Sequence, residues 1–191
     1  MIRKRSLKFS FIITCCILSV LLAGCNDSSP PTFTLDEPDV DDISLLATLS
    51  VSNENPGGPY GHEGSGKLID GDRNSKFLTF EFHEGFWMQQ DFDEQVSVNA
   101  YTMTSGNDAP ERDPLHWTLA GSNDGGKSWD VLHTVTDAVF AGRNSVTIYE
   151  LDSDATYSSF RLSITDNAGE TTLMQLSEWR LLYYNEPIPQ F

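Results

Sequence analysis

The chain is poor in cysteine and in basic residues, and it contains no hydrophobic run long enough for an ordinary membrane span. All three cysteines, Cys15, Cys16 and Cys25, lie at the N-terminal end, so disulfides cannot staple the remainder. Only 12 Lys and Arg residues stand against 28 Asp and Glu residues, which gives a formal net charge of −16 over 191 residues. Because phosphate backbones bind clustered basic side chains, this balance predicts no nucleic-acid partner.

Residues 1–24 are typical of a secretory signal, with a basic start and a largely apolar run over residues 9–23. The run is shorter than the roughly 20 residues that cross a bilayer. It ends at Leu22-Ala23-Gly24-Cys25, which resembles the lipobox of bacterial lipoproteins. This resemblance implies acylation of Cys25 and a lipid-anchored position in the bacterial cell envelope, with the outer membrane as the expected location. An ordinary secretory signal that happens to contain Cys25 remains the alternative.

The remaining chain divides by composition into a linker, one domain and a tail. Residues 25–42 are rich in Pro, Ser and acidic side chains, which predicts a flexible, self-repelling linker. A first strand at residues 33–35 is the alternative there. Residues 43–184 carry the apolar patterning of a folded domain, and residues 185–191 form a tail that two prolines interrupt.

The patterning of the domain predicts an all-β fold. Apolar and aromatic residues form short blocks of strand length, separated by clusters of Gly, Asn, Asp and Ser, and no long stretch has a helical period. The predicted strands cover residues 77–82, 86–92, 96–104, 115–121, 129–134, 145–151, 159–165 and 175–184. About eight strands at this spacing favour a sandwich or a jelly roll.

No catalytic constellation is visible in the sequence. The four histidines show no metal-binding spacing, and neither a nucleophile elbow nor a phosphate-binding loop is present. With 28 acidic residues some close pairs are inevitable, so a pair such as Asp91 and Asp93 is weak evidence for glycoside hydrolysis. The sequence therefore predicts a protein that is not an enzyme.

One loop has the composition of a cation site. Asp70, Asp72, Asn74 and Ser75 place oxygen-bearing side chains around a glycine, and calcium prefers six to eight oxygen ligands. The spacing imitates the start of an EF-hand, but Ser75 stands where that loop requires glycine, which argues against an EF-hand. A solvated acidic turn is the alternative.

The order of the motifs resembles the discoidin, or coagulation-factor type C, family of the galactose-binding-like superfamily. The segments that carry the resemblance run from EGSGKLIDGD at residue 63, through FWMQQDF at residue 86 and GSNDGGKSW at residue 121, to MQLSEW at residue 174. The resemblance implies a β-sandwich jelly roll of two antiparallel sheets. Many bacterial members of the family are carbohydrate-binding modules.

The resemblance also implies a structural calcium ion between the Asp-rich loop and the last strand. Asp70 and Glu178 would give side-chain oxygens, Asp72 and Ser75 would give carbonyl or hydroxyl oxygens, and Lys67 would give a carbonyl. The ion would tie the two ends of the domain together and would have no catalytic role.

Ligands of the family bind loops at one end of the sandwich. The matching residues here are Asn53, Glu54, Tyr60 and His62 in the first loop, Phe82 and His83 in the second, and Asn107, Asp108, Glu111 and Arg112 in the third. Tyr60 follows Gly57-Gly58-Pro59 and is the expected exposed platform for a sugar ring. Each residue also has a structural alternative, and for Arg112 it is an ion pair that braces its loop. Trp87 and Trp117 are expected in the core, which leaves no loop tryptophan for sugar stacking.

These features predict a non-catalytic, lipid-anchored recognition module. Its partner would be a glycan or a glycosylated surface protein, or another envelope protein, and the lipid would be its only attachment to the membrane. A protein-interaction lipoprotein without a small ligand is the alternative. A hydrolase that uses Asp108 and Glu111 is the least favoured interpretation.

Overall fold

The computed structural model describes residues 39–188 of the chain. The predicted signal, the lipidation site at Cys25, most of the predicted linker and the last three residues of the tail lie outside this range, so those expectations stay predictions. Within it, no helix is both long enough and apolar enough to cross a membrane.

Nine β-strands and three short 3-10 helices make up the described chain. The strands are β1 (Val40–Asp42), β2 (Thr48–Val51), β3 (Phe77–Thr79), β4 (Phe86–Thr104), β5 (Pro114–Ser122), β6 (Asp130–Val135), β7 (Val146–Asn167), β8 (Met174–Leu176) and β9 (Glu178–Tyr184). The 3-10 helices are Ile43–Leu46, Ser65–Ile69 and Pro110–Arg112.

All strand pairings in residues 39–188 are antiparallel. The larger sheet has seven strands in the order β1-β9-β4-β7-β5-β6, with β2 added on β4, and β3 pairs with β8 in a second sheet. The prediction of an all-β fold with two antiparallel sheets is therefore confirmed.

Two long strands organise the fold. Predicted blocks 86–92 and 96–104 merge into β4, and blocks 145–151 and 159–165 merge into β7, which pairs with β4 along most of its length. The register shifts between Asp91 and Val96 and again between Val98 and Ala100. Bulges of this kind bend a strand while it continues. Both halves of the ribbon face one core, in which Trp117, Trp179 and Tyr101 are fully or almost fully buried.

Trp87 does not join this core, contrary to the sequence-based expectation. Successive side chains of a strand point to opposite faces, and since Phe86 and Met88 are buried, Trp87 points outward. The Arg161 guanidinium lies 4.4 Å from the centre of the Trp87 ring and 4.3 Å from that of Trp129. The tryptophans thus enclose a cation in a stabilising arrangement. The core position of Trp117 is confirmed.

The domain begins earlier than residue 43, so the predicted C-terminal boundary of the linker is wrong. Val40–Asp42 forms the edge strand β1, which pairs with the end of β9. The Asp42 carboxylate accepts hydrogen bonds from the Arg180 guanidinium and from the backbone N–H of Ser44. The acidic composition of residues 40–42 suggested a linker, but Asp42 has a largely buried basic partner, Arg180, on the neighbouring strand.

Candidate functional site

A tight glycine-rich loop holds Tyr60 away from the body of the domain, and 99% of this residue's surface is exposed. The backbone N–H of Gly66 donates to the Pro59 carbonyl at 3.0 Å, which ties the base of the loop together. A Cβ atom on Gly64 would lie 2.1 Å from the Gly58 carbonyl oxygen, so no other residue fits there without moving the backbone. The exposure expected for Tyr60 is confirmed.

Glu54 stabilises this loop from within and does not face the site. Its carboxylate accepts hydrogen bonds from the backbone N–H groups of Asn55 and Ser65, at 2.7 and 3.0 Å, and from the Ser65 hydroxyl. Ser65 is buried, so this carboxylate closes the loop against the following 3-10 helix. The placement of Glu54 among the ligand-binding residues is corrected accordingly.

Beside Tyr60 lies an open depression of about 460 Å3, which we call the polar depression. Four predicted ligand-binding residues line it, namely Tyr60, His62, Asn107 and Asp108. Lys67, Asp72 and Ser75 of the predicted cation loop contribute to the same wall, together with Gly61, Glu63, Asn74 and Lys76. The site therefore combines an exposed aromatic ring with amide, imidazole, carboxylate and ammonium groups.

A buried lysine holds the third loop in place. The ammonium group of Lys76 lies 2.5 Å from a carboxylate oxygen of Asp108 and 3.8 Å from one of Glu63, and its side chain is 8% exposed. The hydrogen bond from Lys76 holds the pKa of Asp108 below its usual range. Buried charges need such partners, so the ion pair orients the exposed side of Asp108 toward the depression.

The second loop lies apart from the polar depression. His83 Nε2 and the Asn53 side-chain oxygen are 3.0 Å apart, and His83 Nδ1 accepts from the backbone N–H of Gly85. Phe82 packs on Phe86, with ring centres 5.9 Å apart. These contacts explain Asn53, Phe82 and His83 as elements of loop structure.

Glu111 and Arg112 also lie outside the lining of the polar depression. The ion pair that braces their loop is formed by Asp113 and Arg143 and not by Arg112. One guanidinium nitrogen of Arg143 donates to the Asp113 carboxylate at 2.8 Å and to the Asp108 carbonyl at 3.0 Å. Burial raises the pKa of Asp113, and the hydrogen bond from Arg143 opposes that effect.

The predicted cation residues converge around Asp70. The Ser75 hydroxyl lies 3.0 and 3.2 Å from the two Asp70 carboxylate oxygens, and the Lys67 ammonium group lies 3.1 Å from one of them. Burial raises the pKa of Asp70, but hydrogen bonds from Asp72, Lys67 and Ser75 outweigh it, so the pKa lies below its usual value. The Asp72 carboxylate itself accepts from Asn74.

Glu178 completes this group from the start of β9. Burial and the nearby Asp70 raise the pKa of Glu178 to about 7, although Arg180 opposes the shift. One carboxylate oxygen of Glu178, Oε1, is buried without a hydrogen-bond partner. No group of three or more His, Cys, Asp or Glu suited to a metal occurs in residues 39–188. Two carboxylates and a hydroxyl are nevertheless oxygen donors of the kind that a hard cation accepts.

Three contributors to the site were missed in the sequence. Lys76 meets both Asp108 and Glu63 from a different part of the chain, and Arg143 comes from the loop before β7. The only local signal of this ion pair was the position of Lys76 directly before the buried strand β3. A lysine that is buried there needs a charged partner, because lysines are seldom buried without one.

Comparison with known proteins identifies the family. The F5/8 type C domain matches residues 48–179. A peptide-N(4)-(N-acetyl-beta-glucosaminyl)asparagine amidase of Arabidopsis thaliana is 35% identical over 113 residues, or 56% of this chain. The match spans only 16% of the amidase's length.

Solved structures of carbohydrate-binding modules share the fold. The family 32 module of Clostridium perfringens NanJ, in complex with galactose, has a TM-score of 0.61 at 14% identity, and the match covers 75% of this chain and 99% of that one. CpGH89CBM32-5 of the same organism, in complex with GalNAc-beta-1,3-galactose, has a TM-score of 0.60 at 14% identity, with coverages of 72% and 96%. The predicted jelly-roll sandwich is thereby confirmed.

The buried lysine leads to a test of the loop scaffold. Asp108→Asn should lower the free energy of unfolding by about 1–2 kcal/mol at pH 7, because Lys76 would keep only the more distant Glu63. The lowered pKa of Asp108 means that the wild-type advantage is present above the unfolded pKa, roughly 4, and disappears as the pH falls through the folded value. Urea denaturation at pH 7 and pH 3 measures both effects.

Asp152→Asn is the matched control, since Asp152 is exposed and far from this loop in the chain. Equal stability of wild type and Asp108→Asn at pH 7 would contradict the scaffold role of the Lys76–Asp108 pair.

Proposed function

The chain belongs to the F5/8 type C family, and we propose that it is a non-catalytic recognition module that binds a carbohydrate or a glycosylated partner. The observation that carries this proposal is Tyr60, whose ring stands fully exposed at the rim of the polar depression. An exposed aromatic side chain on a braced loop is free to contact a ligand, and binding residues are often found on loops that a rigid scaffold holds in place.

The chemistry of the depression matches that of a sugar. A pyranose has an apolar face that can lie on an aromatic ring, and hydroxyl groups that need both donors and acceptors. Asn107 offers both kinds of group, Asp108 accepts, and Lys76 donates. Because Asp108 is already paired with Lys76, these groups are held in position before the ligand arrives, which reduces the entropy cost of binding.

The compared proteins support the same ligand class. The two Clostridium perfringens modules are described in complex with galactose and with a disaccharide. The name of the Arabidopsis relative refers to an asparagine that carries a glycan. The proposal for this chain combines that support with its own exposed tyrosine and polar loop residues.

The electrostatics of the site favour binding over hydrolysis. A general acid in glycoside hydrolysis is a carboxyl group with a raised pKa, whereas Lys76 lowers the pKa of Asp108. Glu111, the other acid considered for hydrolysis, lies outside the lining of the polar depression. Asp108 and Glu111 therefore do not form an acid–base pair at the polar depression.

A glycan-binding titration with Tyr60→Ala tests the proposal. Loss of the ring should weaken binding about thirtyfold or more, as expected for a central aromatic anchor worth roughly 2 kcal/mol. The melting temperature should remain unchanged, because the exposed ring packs on nothing. Val131→Ala, an exposed apolar residue on β6, is the control and should bind as wild type.

Unaltered glycan affinity in Tyr60→Ala would contradict the proposed site. Absence of binding to any glycan on a broad array would favour the protein-interaction alternative.

We also propose that a structural calcium ion binds at Asp70. The carboxylates of Asp70 and Glu178 would hold it with the Ser75 hydroxyl, and backbone carbonyls of Lys67 and Asp72 would complete the oxygen shell. The ion would neutralise the repulsion between the two carboxylates and link the loop to β9. The buried Glu178 oxygen without a partner supports this assignment.

Thermal unfolding with and without a chelator tests the calcium site. The melting temperature should fall when the chelator is added, by an amount that depends on the calcium concentration. Asp70→Asn should abolish this difference, whereas Asp72→Asn should keep most of it, because the Asp72 side chain is turned toward Asn74. Identical melting of wild type with calcium and with chelator would exclude the site.

We propose that Cys25 carries the lipid that anchors the protein to the bacterial outer membrane. The support is the lipobox-like sequence directly after the apolar run. When the full chain is expressed in a bacterium with a labelled fatty acid, wild type should incorporate the label and fractionate with membranes, whereas Cys25→Ser should do neither. Equal labelling of both proteins would contradict the assignment.

A further inference from the structure

The strand β6 lies at the edge of the larger sheet and leaves one side of its backbone unpaired. It pairs with β5 alone, and no other strand of residues 39–188 joins its outer side. An edge of this kind is a template for a further strand, and β6 contains neither lysine nor proline, the residues that commonly protect such edges. A register shift leaves Leu132 as an extra residue in β6, and this bulge keeps the regular run short. The edge therefore suits a short added segment.

An open depression of about 450 Å3 lies between the start of β6 and the bend of β7, and we call it the edge depression. Its lining is mainly polar, but Val131, Leu132 and Leu151 add an apolar strip. Val131 is 65% exposed, whereas Leu132 and Leu151 pack against the core, which holds the strip in place. The edge depression shares no lining residue with the polar depression, so the two are separate surfaces.

Carboxylates accompany this apolar strip. Asp130, Asp152 and Asp154 line the edge depression, and all three are exposed. The Tyr157 hydroxyl donates to Asp130 and the Tyr183 hydroxyl donates to Asp154, each at 3.0 Å, so two of the carboxylates are held in position. No Lys or Arg of residues 39–188 lines the edge depression, and its negative charge is therefore not balanced within it.

The charge of this surface selects a basic occupant. A second copy of the chain, with a formal net charge of −16, would be repelled by it. Lysine and arginine side chains instead combine an apolar stem, which can pack on Val131 and Leu151, with a charged head that can reach the carboxylates. Every second side chain of an extended segment points to the same face, so a strand added to β6 would present such side chains at alternate positions.

We propose that β6 and the edge depression dock a basic, extended segment of a partner protein. The segment adds a short strand to the sheet and places a lysine or arginine side chain among Asp130, Asp152 and Asp154. This inference goes beyond the proposed function, because none of the residues assigned to the glycan takes part in it. The domain thus has a surface for a protein partner that is separate from the glycan site.

Synthetic peptides of the length of β6 test the proposal on the full chain. One alternates lysine and threonine, another has glutamate in place of lysine, and a further one is the lysine peptide with every backbone amide N-methylated. N-methylation keeps the charge but removes the N–H donors that a strand needs. In NMR titrations at low salt, the lysine peptide should shift the backbone amides of residues 130–135 and 151–157. The glutamate peptide should not bind, and the N-methylated peptide should bind at least about tenfold more weakly than the lysine peptide.

Charge-reversal variants make the test specific to the edge depression. The double variant Asp152→Lys/Asp154→Lys should weaken binding of the lysine peptide at least about tenfold, because it replaces two attractive charges with repulsive ones. The control is Glu81→Lys/Glu84→Lys, which changes the net charge equally at two exposed acids outside the edge depression and should have a much smaller effect. Tyr60→Ala should bind the peptide as wild type does. Melting curves verify that each variant folds.

Several results would overturn the inference. Equal affinity of the lysine peptide and its N-methylated form would reduce the contact to charge attraction without an added strand. Amide shifts around the polar depression and not at β6, or no binding of the lysine peptide, would exclude the docking surface. A dimer in sedimentation whose contacts cover β6 would assign the edge to a second copy of the chain. The glycan titrations are independent of all these results, so the proposed function is tested separately.

Discussion

The close packing of backbone around Gly64 is the constraint on which the site depends. Since a Cβ atom at this position would lie 2.1 Å from the Gly58 carbonyl oxygen, the loop can close only with glycine there. Closure brings the Pro59 carbonyl to the Gly66 N–H and leaves Tyr60 at the tip, surrounded by water. The exposed ring is thus a consequence of backbone geometry, and it needs no partner within the domain to stay in place.

Scarce cations stabilise the loops around that ring. The chain has more than twice as many acidic as basic residues, yet Lys76, Arg143 and Arg180 each pair with a carboxylate at or next to the loop end of the sandwich. These pairs connect segments distant in sequence. The β4–β7 ribbon supplies a rigid base, and the ion pairs determine which loop side chains remain available to a ligand. The same shortage of basic residues leaves the carboxylates of Asp70 and Glu178 close together. A bound cation would connect their two segments.

The sequence predicted the sandwich well because strand alternation is local information, and it predicted Tyr60 because Gly-Gly-Pro precedes it. The expectation for Trp87 was wrong because it placed a large aromatic residue in the core by residue type. Phe86 and Met88 occupy the core face of the strand, so Trp87 lies on the opposite face. It assigned Glu54 to ligand binding because the bond to Ser65 forms only after the loop closes. It also missed Lys76 and Arg143, whose partners lie about 30 residues away in the chain. Ion pairs of this range leave no periodic signal.

The central claim is that the loops around Tyr60 bind a glycan and that the protein does not modify it chemically. Mapping backbone amide chemical shifts by NMR while N-acetyllactosamine is added measures this most directly. The account predicts shifts concentrated at residues 57–67 and 107–108, with the sugar recovered intact. Shifts concentrated at the bend of the ribbon near residues 152–157, or hydrolysis of the sugar during the titration, would contradict it.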